Sequence, residues 1–274
     1  MLSQQDKAKA FHELHSGAVL VLPNAWDAAS ARLIEQAGAV AVATTSAGMS
    51  WSLGVPDGGH LGSADAVAAV ARVTAAVSVP VTADIEGGYA RDLDGLADVV
   101  RAVLAVGAVG INLEDSADGG LLSEAEHCAR IGVVRRVASE VGVDLFVNVR
   151  TDVYLVGGDP DELLSAALRR AEAYLAVGAD GIFVPGVVDE ATIGALAGGI
   201  SAPLNVMAGP GSPTVSRLAD LGVARVSVGQ AIAQAAYAVT RRAAVELLSA
   251  GSYQNIVDGV GYGELNTLLA QRSH

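Results

Sequence analysis

The chain has 274 residues, with 30 acidic against 17 basic side chains and a formal net charge of −13. That balance argues against a nucleic-acid surface, which needs clustered Lys and Arg to replace phosphate counterions, and against adhesion to anionic membrane. Just over half the residues are hydrophobic while only 4% are aromatic, so a core of small side chains is expected, and the lone Cys128 excludes an intrachain disulfide or a cysteine metal cluster.

The opening stretch, MLSQQDKAKAFHELHSG, carries charges and His where a signal peptide needs an uninterrupted apolar core. A cytoplasmic location is therefore expected. Apolar runs such as AVLAVGAVGINL are too short to span a bilayer. Strands are expected near residues 18–23, 39–45, 79–85, 109–114, 144–150, 181–185, 203–207 and 225–228. Four stretches, EQAGAVAVATT, LAVGAVGINLED, LAVGADGIFVPG and ADLGVARVSVGQ, repeat one junction: a last helical turn, a Gly that ends it, and a short strand. Helical periodicity fills the intervals, with Ser63 and Ser123 placed to cap free amides. Eight such βα units predict an α/β fold of the (β/α)8 TIM-barrel type, as a single domain over residues 1–274 with a helical extension from about 240. A doubly wound open sheet is the alternative, but it calls for a Gly-rich phosphate loop after an early strand, and the first strand here runs into PNAWDAAS.

Barrel strands deliver their last residues to the active-site mouth. Here they end in TTSAG, ADIEGG, NLED, NVRTD, FVPG and NVMAG. Asp84, Glu86, Glu114 and Arg150 are thus expected to converge, with Asp57 of LGVPDGG arriving from a loop. Strand alternation places Asp84 and Glu86 on one face and Ile85 on the other. Like charges that close repel unless a cation lies between them. Hard oxygen donors in this number suit Mg2+, or Mn2+, rather than zinc. Gly87 and Gly88 leave room for close approach. The plainer reading, that strand-end acids cap the next helix, fits Asp92 or Asp115 taken singly.

The ordered set LPNAWDAASARLIEQAGAVAVATTSAG, GVPD, TADIEGGY, GINLEDS, NVRTD and GADGIFVPG, spanning about residues 11 to 245, resembles the isocitrate lyase and phosphoenolpyruvate mutase superfamily. The resemblance implies a barrel whose last helix is exchanged between subunits of a homodimer or homotetramer. It implies a magnesium enzyme that makes or breaks a C–C or P–C bond in a small anionic 2-oxo or 2-hydroxy acid, through a pyruvate-type enolate. By motif position Asp84 would be the direct metal ligand, with Asp57, Glu86 and Glu114 bridged through water. The amides around Thr45, Ser46 and Ala47 would hold substrate, with Arg150 and Asn205 as further contacts.

Two departures from that pattern stand out. The lyases carry a Lys/Arg-Cys-Gly-His gating loop after the Glu-Asp pair, whereas this chain runs EDSADGGLLSEAEHCAR straight into helix, with Cys128 inside it as a structural thiol. The longer loop of the P–C mutases is missing as well. At the end of GIFVPG, relatives place Glu or His where this chain has Pro185, which can move no proton. For the missing acid or base the sequence offers Tyr89, His60 and His127, the last expected on a helix surface. A C–C lyase or decarboxylase is the leading expectation; a phosphomutase or phosphonopyruvate hydrolase and a non-catalytic carboxylate-binding barrel are the alternatives.

Overall fold

The computed structural model of the protein describes residues 2–117 and 119–271. Eight short parallel strands, each inside its expected window, build the ring: β1 Leu20–Leu22, β2 Val42–Thr44, β3 Val81–Asp84, β4 Gly110–Glu114, β5 Phe146–Arg150, β6 Gly181–Val184, β7 Leu204–Met207 and β8 Arg225–Ser227. Closure depends on residues 20–25. Leu20 to Leu22 pair with Arg225 to Ser227 of β8. Beyond Pro23, which has no N–H to give, Asn24 and Ala25 pair with Ala43 and Thr44 of β2. One extended segment thus joins the last strand to the second, and the sheet becomes a barrel.

The helices are α1 Gln4–Glu13, α2 Ala28–Gln36, α3 Ser46–Ser52, α4 Ser63–Ala76, α5 Leu93–Ala105, α6 Glu124–Val141, α7 Val153–Val156, α8 Pro160–Ala176, α9 Glu190–Gly199, α10 Val215–Asp220, α11 Ala231–Ala250 and α12 Tyr262–Ala270. Ser123 starts α6 through a reciprocal capping box with Glu126. Ser63 does not cap α4; Gly62 holds that position without a side-chain bond. Asp92 does cap α5, accepting from the Gly95 amide at 2.8 Å. Ala, Val, Leu and Ile side chains fill the space between strands and helices, among them Val100, Val103, Ile111, Val134 and Val147.

α1 lies under the floor, where Phe11 packs with Leu20, Leu22, Val109 and Phe146. Above it the barrel interior is polar. Asn148 donates to Asn112 at 2.8 Å and to Asn205 at 3.1 Å, and Arg225 donates to Asn112 at 3.2 Å. Little room is left: a Cβ on Gly110 would meet Phe11 and Thr82 at 2.8 Å.

α11 behaves differently from the other long helices, since Ala233 is its only buried residue. Beside its start a groove of about 760 Å3 opens on the outer wall, lined by Val19, Val21, Leu33, Ile34, Val40 and Ile232. α12 returns to α2, where the Arg32 guanidinium donates to the Leu268 carbonyl. No helix of the described residues is long and apolar enough to cross a membrane.

Candidate active site

Three strand ends and two loops bring most of the expected residues to one mouth. β3 stops at Asp84, whose amide donates to Thr44 Oγ1 at 2.9 Å. Oδ2 of Asp84 accepts from the Ser46 hydroxyl at 2.8 Å and the Ser46 amide at 3.2 Å, while Oδ1 is buried without a partner. Glu86 shares the mouth by a different route from strand alternation. The strand has ended, and Glu86 and Tyr89 both adopt positive φ, 49° and 50°. Non-glycine residues held there cost free energy and mark an over-determined turn. Within it Ile85 packs into the core. Gly88, at φ +91°, has no room for a Cβ, which would lie 2.4 Å from Leu96 Cδ1.

Glu86 is buried; Oε2 accepts from the Gly59 amide on the Asp57 loop and Oε1 has no partner. Burial, then the charges of Asp57 and Asp84, push its pKa up to about 7. Glu114 is pushed up to about 8, chiefly by burial, with Arg150 opposing and Asp152, Asp84 and Glu86 adding to it. Asp57 lies on an exposed loop, yet loss of solvent and the nearby Asp84 also raise its pKa.

Arg150 is clamped. Nη1 meets Glu114 at 2.8 Å, while Nε and Nη2 form a fork on Asp152 at 2.6 and 3.0 Å. Ser116 ties both acids together, donating to Asp152 at 2.6 Å and to Glu114 at 3.2 Å. Neither Asp152 nor Ser116 was singled out from sequence. The signal for Asp152 was the RTD spacing, two residues beyond a strand-end Arg. Asp152 is itself held by Asp115, which caps no helix. Fully buried, Asp115 accepts from the Asp152 amide, Thr151, Arg170 and Tyr174 at 2.8–3.0 Å.

The amides near residue 46 are unequally available. Thr45 spends its N–H on Ala25 at 3.0 Å and Ser46 on Asp84, whereas Ala47 lies in the first turn of α3, where no intrahelical acceptor exists. Tyr89 brings a buried hydroxyl beside the Glu86 carboxyl; burial, then Glu86 and Asp84, hold its pKa well above the usual phenol range. His60 stands exposed on the loop beyond Asp57.

Other expected residues fall elsewhere. Asn205 is inside the barrel, bonded to Asn148, Arg225, Val206 and Ser227, below the mouth. His127 is not on a helix surface. It is fully buried beside Tyr174, at a ring distance of 4.8 Å, because the inner face of α6 packs on α8. Cys128 is half-buried within α6, facing the Ala173 carbonyl, with a thiol pKa raised by burial. Pro185 follows β6 directly and is buried. In the stretch after Asp115 the described residues pair as two antiparallel rungs, Ser116 against Leu121 and Ala117 against Gly120.

Among the described residues no three His, Cys, Asp or Glu side chains gather closely enough to chelate a metal unaided. The free, buried oxygens of Asp84 and Glu86 nevertheless face a deficit of positive charge, and an all-carboxylate donor set fits a hard cation held by one direct ligand and bridging water.

Several proteins resemble this chain in sequence or fold. An uncharacterised protein of Mycobacterium tuberculosis (strain ATCC 25618 / H37Rv) is 39% identical over 221 residues, 80% of this chain and 81% of its own. The oxaloacetate decarboxylase of Ectopseudomonas mendocina (strain ymp) is 32% identical over 199 residues, 69% of this chain and 65% of its own. A crystal structure from Burkholderia cenocepacia J2315, provisionally named a lyase/mutase, is 34% identical with a TM-score of 0.91 and 97% coverage of both chains. The family model described as phosphoenolpyruvate phosphomutase matches residues 11–248, and the chain belongs to that family, within the isocitrate lyase and phosphoenolpyruvate mutase superfamily.

Proposed function

We propose that this protein is a magnesium-dependent carbon–carbon lyase or decarboxylase of a small 2-oxo or 2-hydroxy acid, with an oxaloacetate-type dicarboxylate as the leading substrate. The observation that carries the reading is the disposition of charge at the mouth. Asp84 and Glu86 present unshared buried oxygens, while the Arg150 guanidinium is already spent on Glu114 and Asp152. The first feature suits a hard cation; the second leaves no free guanidinium for a phosphonate, which favours C–C over P–C chemistry. The short hairpin points the same way. Phosphoryl migration needs an enolate shielded from water, whereas lysis and decarboxylation end with that enolate protonated.

Asp84 would hold the cation directly, with Asp57, Glu86 and Glu114 in its water shell. When bound, it supplies Lewis-acid polarisation of the 2-oxo group. The chain's own groups do the rest. The Ala47 amide orients a substrate oxygen beside Asp84, whose Oδ2 the Ser46 hydroxyl and amide hold in place. The C–C bond breaks as its electron pair moves toward the 2-oxo oxygen, releasing CO2 from an oxaloacetate-type substrate. Tyr89, kept protonated by its buried acidic surroundings, delivers a proton to the carbanionic carbon. The proton that Tyr89 gives up is restored to the phenolate from solvent, which closes the cycle.

Calorimetric titration of metal-free protein with Mg2+ and then oxalate, a planar enolate mimic, tests the site. Oxalate binding that requires Mg2+ and is lost in Asp84→Ala supports it; unchanged oxalate binding in Asp84→Ala without metal would favour a non-catalytic binding barrel. Turnover of oxaloacetate against phosphonopyruvate, with and without Mg2+, separates C–C from P–C chemistry.

The partner we propose is a second copy of this chain. The groove beside β1 and α2 occupies the place where the eighth outer helix of a barrel packs, and this chain's α11 leaves that place with its apolar residues exposed.

A further inference from the structure

Arg225 heads the fully buried side chains by size, at 1% exposure. Among the described residues the only hydrogen bond of its guanidinium is from Nη2 to Asn112 at 3.2 Å; Nε and Nη1 have no partner and no carboxylate forms an ion pair with it. The Phe11 ring, centred 6.0 Å from Cζ, closes the space beneath. An unpaired buried cation is costly, and an apolar residue of similar volume usually serves stability as well or better. Packing therefore does not account for Arg225.

The placement offers an account. Arg225 reaches Asn112, and Asn112 stands opposite Asp84 in the β3–β4 register. The guanidinium lies inside the barrel below the acids of the mouth, close enough for Asp84 to favour its charged form, although burial pulls its pKa down to about 9. Above it lie Asp57, Asp84, Glu86, Glu114 and Asp152, and among the described residues the ion pairs these acids form are those of Arg150 with Glu114 and Asp152.

We propose that Arg225 is the internal counter-charge of the carboxylate site, a positioning residue that touches neither cation nor substrate and divides affinity between them. This rests on the enolate-site reading above. A fixed positive charge beneath Asp84 repels a divalent cation and attracts a dianionic acid, so it keeps the metal from binding too tightly and helps retain the substrate. A merely structural residue would weaken both ligands together when lost.

The test is calorimetry of Mg2+ alone, then of oxalate on Mg2+-saturated protein, for wild type, Arg225→Met and Arg225→Lys. In Arg225→Met, Mg2+ is expected to bind about tenfold tighter and oxalate about tenfold weaker, opposite shifts set by one lost charge. Arg225→Lys, compared with wild type at pH 6 so that a buried ammonium stays charged, should remain within about threefold of it for both. If Arg225→Met does not fold, Arg225→Gln, which can retain the bond to Asn112, takes its place. Affinities that move together, or not at all, in the neutral variant overturn the inference, as does a Lys variant that behaves like it. A wild type without Mg2+-dependent oxalate binding overturns the enolate reading first, and this inference with it.

Discussion

Two glutamates show how single residues are set by their surroundings. Glu86 and Glu114, with pKa values raised to about 7 and about 8, retain protons in the folded metal-free protein that the unfolded chain has already released. The folded state binds more protons than the unfolded one between about pH 4.5 and 8, so their contribution to stability falls as pH rises through that window. A bound cation must displace those protons. The gain in melting temperature on adding Mg2+ is therefore expected to be larger at pH 8 than at pH 6, by scanning calorimetry; an equal gain would contradict the protonated site. Tyr89 gives a second residue-scale prediction. Tyr89→Phe removes only the hydroxyl, so turnover should fall about 100-fold with Mg2+ affinity unchanged. Parallel loss of both would make Tyr89 a structural residue of the turn.

At the level of elements, the barrel floor and the α6–α8 seam each bury a histidine. His15 ends the α1 segment, stacked on Phe146 at 3.8 Å with Nδ1 2.8 Å from the Phe11 carbonyl. Burial, then the Arg225 charge, bring its pKa down to about 3. His127 on α6 also falls to about 3, through burial and then the charges of Arg130 and Arg170. Both are neutral when folded and become charged in the unfolded chain below about pH 6.5. The unfolded state then binds more protons, and stability falls as pH drops from about 6.5 toward 3. Each histidine should account for about 1–2 kcal/mol of loss at pH 5 relative to pH 7. Urea titrations of His127→Leu at the two pH values should show a shallower loss than wild type; an identical loss would mean that His127 does not titrate on unfolding.

The whole molecule carries an unfinished outer wall. α11 exposes Tyr237, Val239, Val245, Leu247 and Leu248, the last at 86%, beside a groove lined by exposed Val21 and Val40. Apolar faces of this extent are association surfaces. Light scattering is expected to give a dimer or larger closed assembly, and Ile232→Glu, at the groove edge, should shift it toward monomer at micromolar concentration. A wild-type monomer at that concentration would leave the groove to another occupant.

Local signals were enough for the barrel. Short apolar runs between helical periods marked all eight strands, four of them after a glycine that stops the preceding helix. Strand-end positions alone assembled Asp84, Glu114 and Arg150, since the fold sends every strand's last residue to one face, whereas Glu86 arrives through the positive-φ turn beyond β3. Tertiary contact decided the rest. No local pattern shows that Asp152 rather than substrate takes the Arg150 fork, that Asp115 is sealed behind the wall by Arg170 and Tyr174, or that Asn205 turns into the interior. Nor could it show Arg225 buried without a counter-ion, or α11 standing off its own barrel. Even the fork between near neighbours Arg150 and Asp152 rests on Asp115, 37 positions away, and the other outcomes join residues tens to more than a hundred positions apart; burial and pairing of charge exist only once the barrel has closed.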